Sequence, residues 1–298
     1  MLIDSHQHVF WHDRDDAGLI ADMDEQGVDK AWLLTWEIPA WDQMAGGYHR
    51  VLNPLNVRPD YSHGGILLGD LLRTRDKYPD RFEVGYCPDP LNPHAAQLLE
   101  SAYHMHGVRI CAEWKFQVLF EDPRCLNVYR KAGELGMPVV LHLDVPYLAP
   151  SEEGAEPRYC HNWYGGTVDN LERALIACPN TNFIGHAPGF WRYISGDAEQ
   201  CSDAYPGGPV APGGRLYELF DTYPNLYADL SAGSGLGALK RDPAHAVSFM
   251  TRYADRLLWG RDIYGDALPN FLATIDLPVD VRAKVESGNA LRLLGGDQ

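Results

Sequence analysis

The stretch "IDSHQHVFW" at residues 3–11 sets two histidines, His6 and His8, one residue apart in a segment with the pattern of a β-strand. Residues i and i+2 of a strand point to the same face of its sheet. The two imidazoles therefore share one face near the carboxyl end of the first strand, where they could supply half of a metal site. A lone His-x-His is common on surfaces and in cores, so this interpretation depends on the rest of the chain.

Short apolar runs alternate with longer amphipathic segments along the chain. The predicted strands are residues 2–8, 31–36, 81–87, 108–114, 138–144, 181–187, 225–230 and 256–262. The predicted helices are residues 17–26, 67–78, 95–106, 124–135, 168–177, 214–222, 244–253 and 281–294. This alternation favours an α/β fold with a parallel sheet, and the number of units predicts a (β/α)8 TIM barrel formed by residues 1–298 as a single domain.

Three connections are long and rich in glycine, proline and aromatic residues: residues 37–65, 145–166 and 188–212. Each follows a strand and precedes a helix, so we expect these loops over the C-terminal face of the barrel, where active sites lie. A glycine-rich run, "AGSGLGALKRD" at residues 232–242, follows the seventh strand. Its glycines favour a tight turn between strand and helix over a phosphate site.

The net charge of −16, from 41 acidic and 25 basic residues, argues against binding to nucleic acid or to an anionic membrane surface. No window is apolar for long enough to span a bilayer, and no signal peptide is evident. The six cysteines contain no C-x-x-C pair, which predicts reduced thiols in a cytoplasmic protein. The expected partner is a small-molecule substrate, and a homo-oligomer stays possible.

Imidazole or carboxylate groups stand near the carboxyl ends of several predicted strands. "VVLHLD" places His142 in the fifth strand, "NFIGHA" places His186 in the sixth, and "LLWGRD" places Asp262 in the eighth. Burying such a group without a partner is costly, so each needs a neighbour of complementary chemistry. Together with His6 and His8 they predict a metal site at one mouth of the barrel.

These segments, with the tail "GNALRLL" at residues 288–294, resemble the amidohydrolase superfamily. They are most similar to its branch of small single barrels, which includes sugar-lactone hydrolases and aminocarboxymuconate semialdehyde decarboxylase. The resemblance implies a mononuclear divalent ion on His6, His8, His142 and Asp262, with zinc preferred and manganese or iron as alternatives. It also implies that His186 is a catalytic acid/base or polarising group, and that Asp262 could accept a proton as well as bind the ion.

The sequence departs from the family pattern at two strand ends. Arg261 stands where family members often have threonine or serine before the aspartate, and Ala187 stands where they often have glycine. These differences leave the types of metal ligand intact. They bear on the substrate more than on the metal.

The segment "CAEWKF" at residues 111–116 places Glu113 and Lys115 on one face of the fourth strand. Glu113 could contact the metal, since related barrels use a residue of this strand to bridge two ions. Lys115 could bind a substrate carboxylate, or the two side chains could form an internal ion pair. Trp191, Arg192 and His161 are further candidates for binding the substrate.

Three functions are compatible with these residues. The first hypothesis is a metal-dependent hydrolase of a small carbonyl substrate, a lactone or related cyclic ester, that uses metal-activated water. The second is a nonoxidative decarboxylase of a small aromatic acid at the same site. The third is a catalytically silent barrel that binds a ligand.

Overall fold

The computed structural model describes residues 1–42, 47–152, 154–161 and 163–295, so small parts of the first two long loops lie outside the described residues. The strands of the two larger sheets are β1 (Ile3–Gln7), β2 (Lys30–Leu34), β3 (Phe82–Gly85), β4 (Cys111–Trp114), β5 (Val139–His142), β6 (Phe183–His186), β7 (Leu226–Asp229) and β8 (Leu257–Leu258). They form a three-stranded sheet, β1–β2–β3, and a five-stranded sheet, β8–β7–β6–β5–β4. Every pairing within these two sheets is parallel.

Backbone hydrogen bonds join the two sheets at both seams. Between β3 and β4, the amide of Arg109 donates to the carbonyl of Val84 at 3.0 Å. Between β1 and β8, the amide of Ser5 donates to the carbonyl of Trp259 at 2.9 Å. The strands are thereby connected in a ring, which is the (β/α)8 arrangement that the sequence predicts.

Helices follow the strands, and every predicted helix is present with similar bounds. In the described part of the chain the helices are Asp16–Glu25, Leu68–Lys77, Ala95–His106, Pro123–Glu134, Val168–Ala177, Pro188–Trp191, Arg215–Thr222, Ala232–Lys240, Pro243–Arg252, Ala267–Ala273, Val279–Ala283 and Asn289–Leu293. A π-helical turn, Lys284–Gly288, links the last two. None of these helices has the length and apolar character needed to cross a bilayer.

Two sequence expectations are corrected. The glycine-rich run after β7 is the helix Ala232–Lys240 rather than a tight turn. A Cβ at Gly235 would lie 2.6 Å from the carbonyl carbon of Leu230, so the missing side chain lets this helix pack directly against the end of β7. β8 is also shorter than predicted, and just after it the amide of Trp259 donates to the carbonyl of Val285 in the π-helical turn.

Apolar side chains fill the barrel interior below the carboxyl ends of the strands. This inner cluster comprises Ile3, Trp32, Leu34, Ile110, Ala112, Val140, Ile184, Leu258, Ala290 and Leu293. The strand register shifts in β1 between Asp4 and Gln7, and in β4 between Cys111 and Trp114. Such irregularities change which side chains face inward. Both irregularities lie where apolar residues give way to polar residues along the strand.

Candidate metal centre

Six polar side chains meet at the carboxyl ends of the strands. They come from β1, β4, β5, β6 and the residues just after β8: His6, His8, Glu113, His142, His186 and Asp262. Three overlapping triads of this set have ligand atoms within 4.8 Å of one another: His6, His8, Glu113; His6, His186, Asp262; and Glu113, His142, His186. The structure therefore brings together all the residues that the sequence predicts as metal ligands, together with the predicted catalytic histidine.

The Nε2 atoms of three histidines face the two carboxylates. His8 Nε2 lies 3.6 Å from Glu113 Oε2 and 3.5 Å from Asp262 Oδ1. His6 Nε2 lies 3.8 Å from Glu113 and 3.9 Å from Asp262, and His186 Nε2 lies at the same two distances. These separations are too long for hydrogen bonds and short enough for atoms that share one central ion.

Asp229, at the end of β7, fixes the orientation of two of these rings. Its Oδ2 lies 2.9 Å from His6 Nδ1 and its Oδ1 lies 2.9 Å from His186 Nδ1. Burial alone would raise the pKa of Asp229, but His186 and His6 hold the pKa of this carboxyl well below its ordinary value. A carboxylate that accepts both Nδ1 protons leaves each Nε2 as a free electron-pair donor, which is the arrangement found around metal-bound histidines.

The orientation of His8 has a similar cause, because its Nδ1 lies 2.8 Å from the carbonyl of Leu34. The sequence shows Asp229 at the end of the seventh strand, where it could line the pocket, but does not identify it as the partner of His6 and His186. A carboxylate at the end of a strand is visible in the sequence, but its two histidine partners come from β1 and β6. Their meeting at Asp229 requires the closed barrel.

The donor set fits a divalent metal ion. His6 Nε2 is fully buried and has no hydrogen-bond partner in the described structure, although buried polar atoms are nearly always paired. Imidazole nitrogen together with carboxylate oxygen suits zinc, manganese or iron. The unpaired nitrogen, facing two carboxylates, is therefore the atom that a cation would satisfy.

Glu113 and His142 form a close pair at the edge of this set. Glu113 Oε1 lies 2.5 Å from His142 Nδ1, and His142 Nε2 lies 3.4 Å from Asp144 Oδ2. Burial opposes ionisation of Glu113, but Lys115 and His142 hold its pKa well below the ordinary range. Glu113 is thus an ionised carboxylate within reach of four histidines.

Lys115 does not form the ion pair with Glu113 that the sequence left open. No nitrogen–oxygen contact within 4.0 Å joins these two described side chains. The ammonium group instead lies 4.0 Å from the ring centroid of Trp36, with Tyr48 and Tyr164 somewhat further away. Burial lowers the pKa of Lys115, but Glu113 and other acidic groups raise it to above its ordinary value, so the side chain stays charged.

Three further candidates from the sequence lie outside the cluster of six. Trp191 is buried, and its indole nitrogen donates to the carbonyl of Asp229 at 3.0 Å. Arg192 is buried and donates to the carbonyls of Ala198 and Cys201 within its own loop. His161 is exposed. The contacts of Trp191 and Arg192 hold the loop after β6 in place beside the site.

The backbone at two site positions adopts conformations that favour glycine. Asp262 has φ 62° and Ala187, directly after His186, has φ 78°. The amide of Asp262 donates to the carbonyl of His6 at 2.8 Å, and its own carbonyl accepts from the Trp11 indole at 3.0 Å. Such strained positions persist only where surrounding contacts enforce them, and they cluster at functional sites.

Comparison with known proteins finds a family whose model covers nearly the whole chain. A family model described as amidohydrolase matches residues 3–296. No curated protein matches the chain.

Solved structures resemble the chain over almost its whole length. A 5-carboxyvanillate decarboxylase from Sphingomonas paucimobilis is 18% identical, with a TM-score of 0.61 and coverage of 99% of each chain. A probable 2-pyrone-4,6-dicarboxylic acid hydrolase from Acinetobacter baumannii is 14% identical, with a TM-score of 0.58 and 99% coverage of each chain. A dihydroxybenzoic acid decarboxylase from a Polaromonas species, with bound manganese, is 16% identical, with a TM-score of 0.52 and coverage of 99% of this chain and 96% of that one. At these identities the structures support the fold alone.

Proposed function

The chain belongs to the amidohydrolase family, and from this premise we propose that it is a metal-dependent hydrolase of a small carbonyl substrate, a lactone or related cyclic ester. The observation that carries this proposal is the position of Asp262. Its carboxylate is 16% exposed, whereas the side chains of His6, His8, Glu113 and His186 around it are at most 2% exposed. Asp262 is therefore the acidic group of the cluster that a water molecule and a substrate could reach.

His6, His8, His142, Glu113 and Asp262 would hold the ion, which we propose to be zinc, with manganese or iron as alternatives. A divalent ion bound there would activate water and polarise a carbonyl group. The fixed Nδ1 contacts of His6 and His8 keep both Nε2 atoms directed at the centre.

In the proposed reaction, Asp262 accepts a proton from the attacking water as a new carbon–oxygen bond forms at the carbonyl carbon. The ring carbon–oxygen bond then breaks, and the leaving oxygen receives a proton. His186 is placed to take part in this transfer, because its Nε2 lies 3.9 Å from Asp262 Oδ2. Asp229 would hold the His186 ring in this orientation through their 2.9 Å contact.

The test is turnover by the metal-loaded protein on a panel of sugar and aromatic lactones, with the hydroxy-acid product followed by NMR. We expect hydrolysis of at least one panel member, and we expect Asp262→Asn to reduce the rate by about 10²–10⁴-fold, as for loss of a general base. Loaded protein that hydrolyses no lactone would count against the proposal. If Asp262→Asn hydrolyses the lactone at an unchanged rate, Asp262 is not the general base of the reaction.

A second candidate, nonoxidative decarboxylation of a small aromatic acid, draws support from the aromatic walls beside the cluster. The ring of Tyr164 lies 5.6 Å from the ring of His142, and Trp36 lies beneath the Lys115 ammonium. Flat rings of this kind suit a planar substrate. Release of carbon dioxide from hydroxybenzoates by the loaded protein, with no lactone hydrolysed, would replace the first proposal by this one.

The cellular setting is also a proposal. All six cysteines are unpaired, which supports a reducing cytoplasmic location. We propose that residues 1–298 act as a single domain on a small-molecule substrate. Sedimentation of the purified protein would show whether the barrel functions alone or as a homo-oligomer.

A further inference from the structure

Lys115 is a buried cation that makes no close ion pair with the acidic residues around it. Its side chain follows Glu113 on the same face of the chain, and the residue is only 6% exposed. No ion pair within 4.0 Å joins its Nζ atom to the carboxylates of Glu113, Asp144 or Asp262. Charged lysines are almost never this buried unless they are paired, and although the carboxylates of Glu113, Asp144 and Asp262 act on this ammonium group, none of them accepts a hydrogen bond from it.

Aromatic rings surround this ammonium group. Its Nζ lies 4.0 Å from the ring centroid of Trp36, 5.2 Å from that of Tyr48 and 5.6 Å from that of Tyr164. The ring faces attract the positive charge, but they leave its N–H groups without a strong acceptor. The rings therefore hold Lys115 in place and leave its hydrogen-bonding capacity available. We refer to these four residues as the Lys115 subsite.

Two more donors of the Lys115 subsite are unpaired. The Tyr164 hydroxyl and the Trp36 indole nitrogen are both buried, and neither has a hydrogen-bond partner in the described structure. Unpaired buried donors are rare in proteins, and two of them belong to rings that contact the same unpaired ammonium. The Tyr164 ring also lies 5.6 Å from the His142 ring, which connects the subsite to the candidate metal centre.

We propose that the Lys115 subsite binds a carboxylate of the substrate, with Lys115 as the cationic donor and Tyr164 as a neutral donor. The inference rests on the proposed function, and it narrows the substrate to a lactone or related cyclic ester that carries a carboxylate. A singly charged group suits the local charge better than a phosphate dianion does. Lys115 is the one cation in the subsite, and the carboxylates of Glu113, Asp144 and Asp262 act on it electrostatically.

The test compares the binding of salicylate and its neutral analogue salicylamide to the metal-loaded protein by titration calorimetry. We expect the wild type to prefer salicylate. We expect Lys115→Met to weaken salicylate binding by about tenfold or more while salicylamide binding stays unchanged, because a charge-assisted hydrogen bond is lost. Tyr164→Phe should weaken salicylate binding by about threefold, the effect of one neutral hydrogen bond.

Lys240→Met is the matched control, because it removes one positive charge from an exposed lysine of the helix Ala232–Lys240. It should bind both probes as the wild type does, and Lys115→Arg should keep the preference for salicylate. Equal affinity of the wild type for the two probes would overturn the proposal, as would unchanged salicylate affinity in Lys115→Met. Should Lys115→Met not fold, the wild-type preference and the Tyr164→Phe variant still decide the matter.

The outcome is separable from that of the proposed function. Metal content and lactone turnover are measured independently of probe binding. A protein that binds salicylate through Lys115 but hydrolyses no lactone would contradict the hydrolase and leave the subsite standing. If the protein hydrolyses a lactone but its Lys115→Met variant binds salicylate as the wild type does, the hydrolase is supported and the subsite is contradicted.

Discussion

Two buried charged clusters lie close together in this barrel, and only one of them has the features of a reactive site. At the candidate metal centre, the Nε2 atoms of His6, His8 and His186 face carboxylates at 3.5–3.9 Å without hydrogen bonds. A second cluster, formed by Asp4, Arg261 and Asp22, is equally buried. In that cluster the charges are paired directly.

The second cluster ties β1 to the residue beside Asp262. Arg261 Nε donates to Asp4 at 2.7 Å, and Arg261 Nη1 lies 2.8 Å from Asp22 of the first helix. Arg14 reaches the other oxygen of Asp22 at 3.1 Å. The comparison of the two clusters shows that burial of charged side chains does not by itself identify a functional site. The distinguishing feature is a set of histidine Nε2 atoms, from His6, His8 and His186, that face two carboxylates beyond hydrogen-bond distance.

The largest expected effect is a loss of protein stability without a loss of metal, which distinguishes the second cluster from the candidate metal centre. Arg261→Met would leave Asp4 buried without its cation, so we expect the free energy of unfolding to fall by about 3–5 kcal/mol. Urea denaturation measures this change. The metal content of the folded variant should equal that of the wild type. A normal stability combined with loss of metal would mean that the roles of the two clusters are reversed.

The pH dependence of the same variant sharpens the assignment. Burial raises the pKa of Asp4 above its ordinary value even though Arg261 opposes this effect. Removing Arg261 should raise that pKa further. An acid whose pKa is higher in the folded state favours folding at low pH and loses that advantage as pH rises. The stability difference between Arg261→Met and the wild type should therefore shrink as pH is lowered from 7 toward 5, and a difference that grows would contradict the Asp4–Arg261 pairing.

The next effect concerns Asp229, which orients two histidines of the candidate metal centre without facing its centre. Asp229→Asn keeps the size of the side chain but cannot accept both Nδ1 protons from His6 and His186. We expect metal affinity to fall by roughly 10–100-fold, the usual cost of losing such an orienting partner. Competition with a chromogenic chelator measures this affinity. Unchanged affinity would show that His6 is held by other contacts.

Much of this arrangement could be predicted from the sequence, because strand ends in a parallel barrel converge. The histidines of β1, β5 and β6 and the aspartate after β8 are all identifiable as polar endings of apolar runs. The pairing of Asp4 with Arg261 could not be predicted in the same way, because it requires knowing which side chains face the barrel interior. The register of β1 shifts between Asp4 and Gln7, and the sequence does not reveal this shift.

The helix Ala232–Lys240 could not be predicted from the sequence for a different reason. Its glycines disfavour a helix by propensity, and the sequence therefore predicted a turn. Tertiary packing outweighs this preference, because the close approach of Gly235 to Leu230 requires a residue without a side chain. The surroundings of Lys115 could not be predicted for a third reason, because its aromatic neighbours Trp36, Tyr48 and Tyr164 come from distant segments of the chain.

The smallest expected effect tests whether the backbone at the candidate metal centre is strained. Ala187 holds φ 78° and ψ 172° directly after His186, a conformation that glycine adopts more readily. Ala187→Gly should raise the free energy of unfolding by about 1 kcal/mol, the relief of strain minus the greater entropy of glycine in the unfolded chain. Thermal denaturation measures this change. A clear loss of stability would show that Ala187 is not strained.

The most direct test of the central claim is elemental analysis of the purified, dialysed protein and of two variants. We predict about one divalent ion per chain for the wild type, as expected for a mononuclear site. We predict the same content for Arg261→Met and loss of the ion from His8→Ala. Full metal content in His8→Ala would contradict the account, since His8 Nε2 lies within 3.6 Å of both carboxylates that would share the ion.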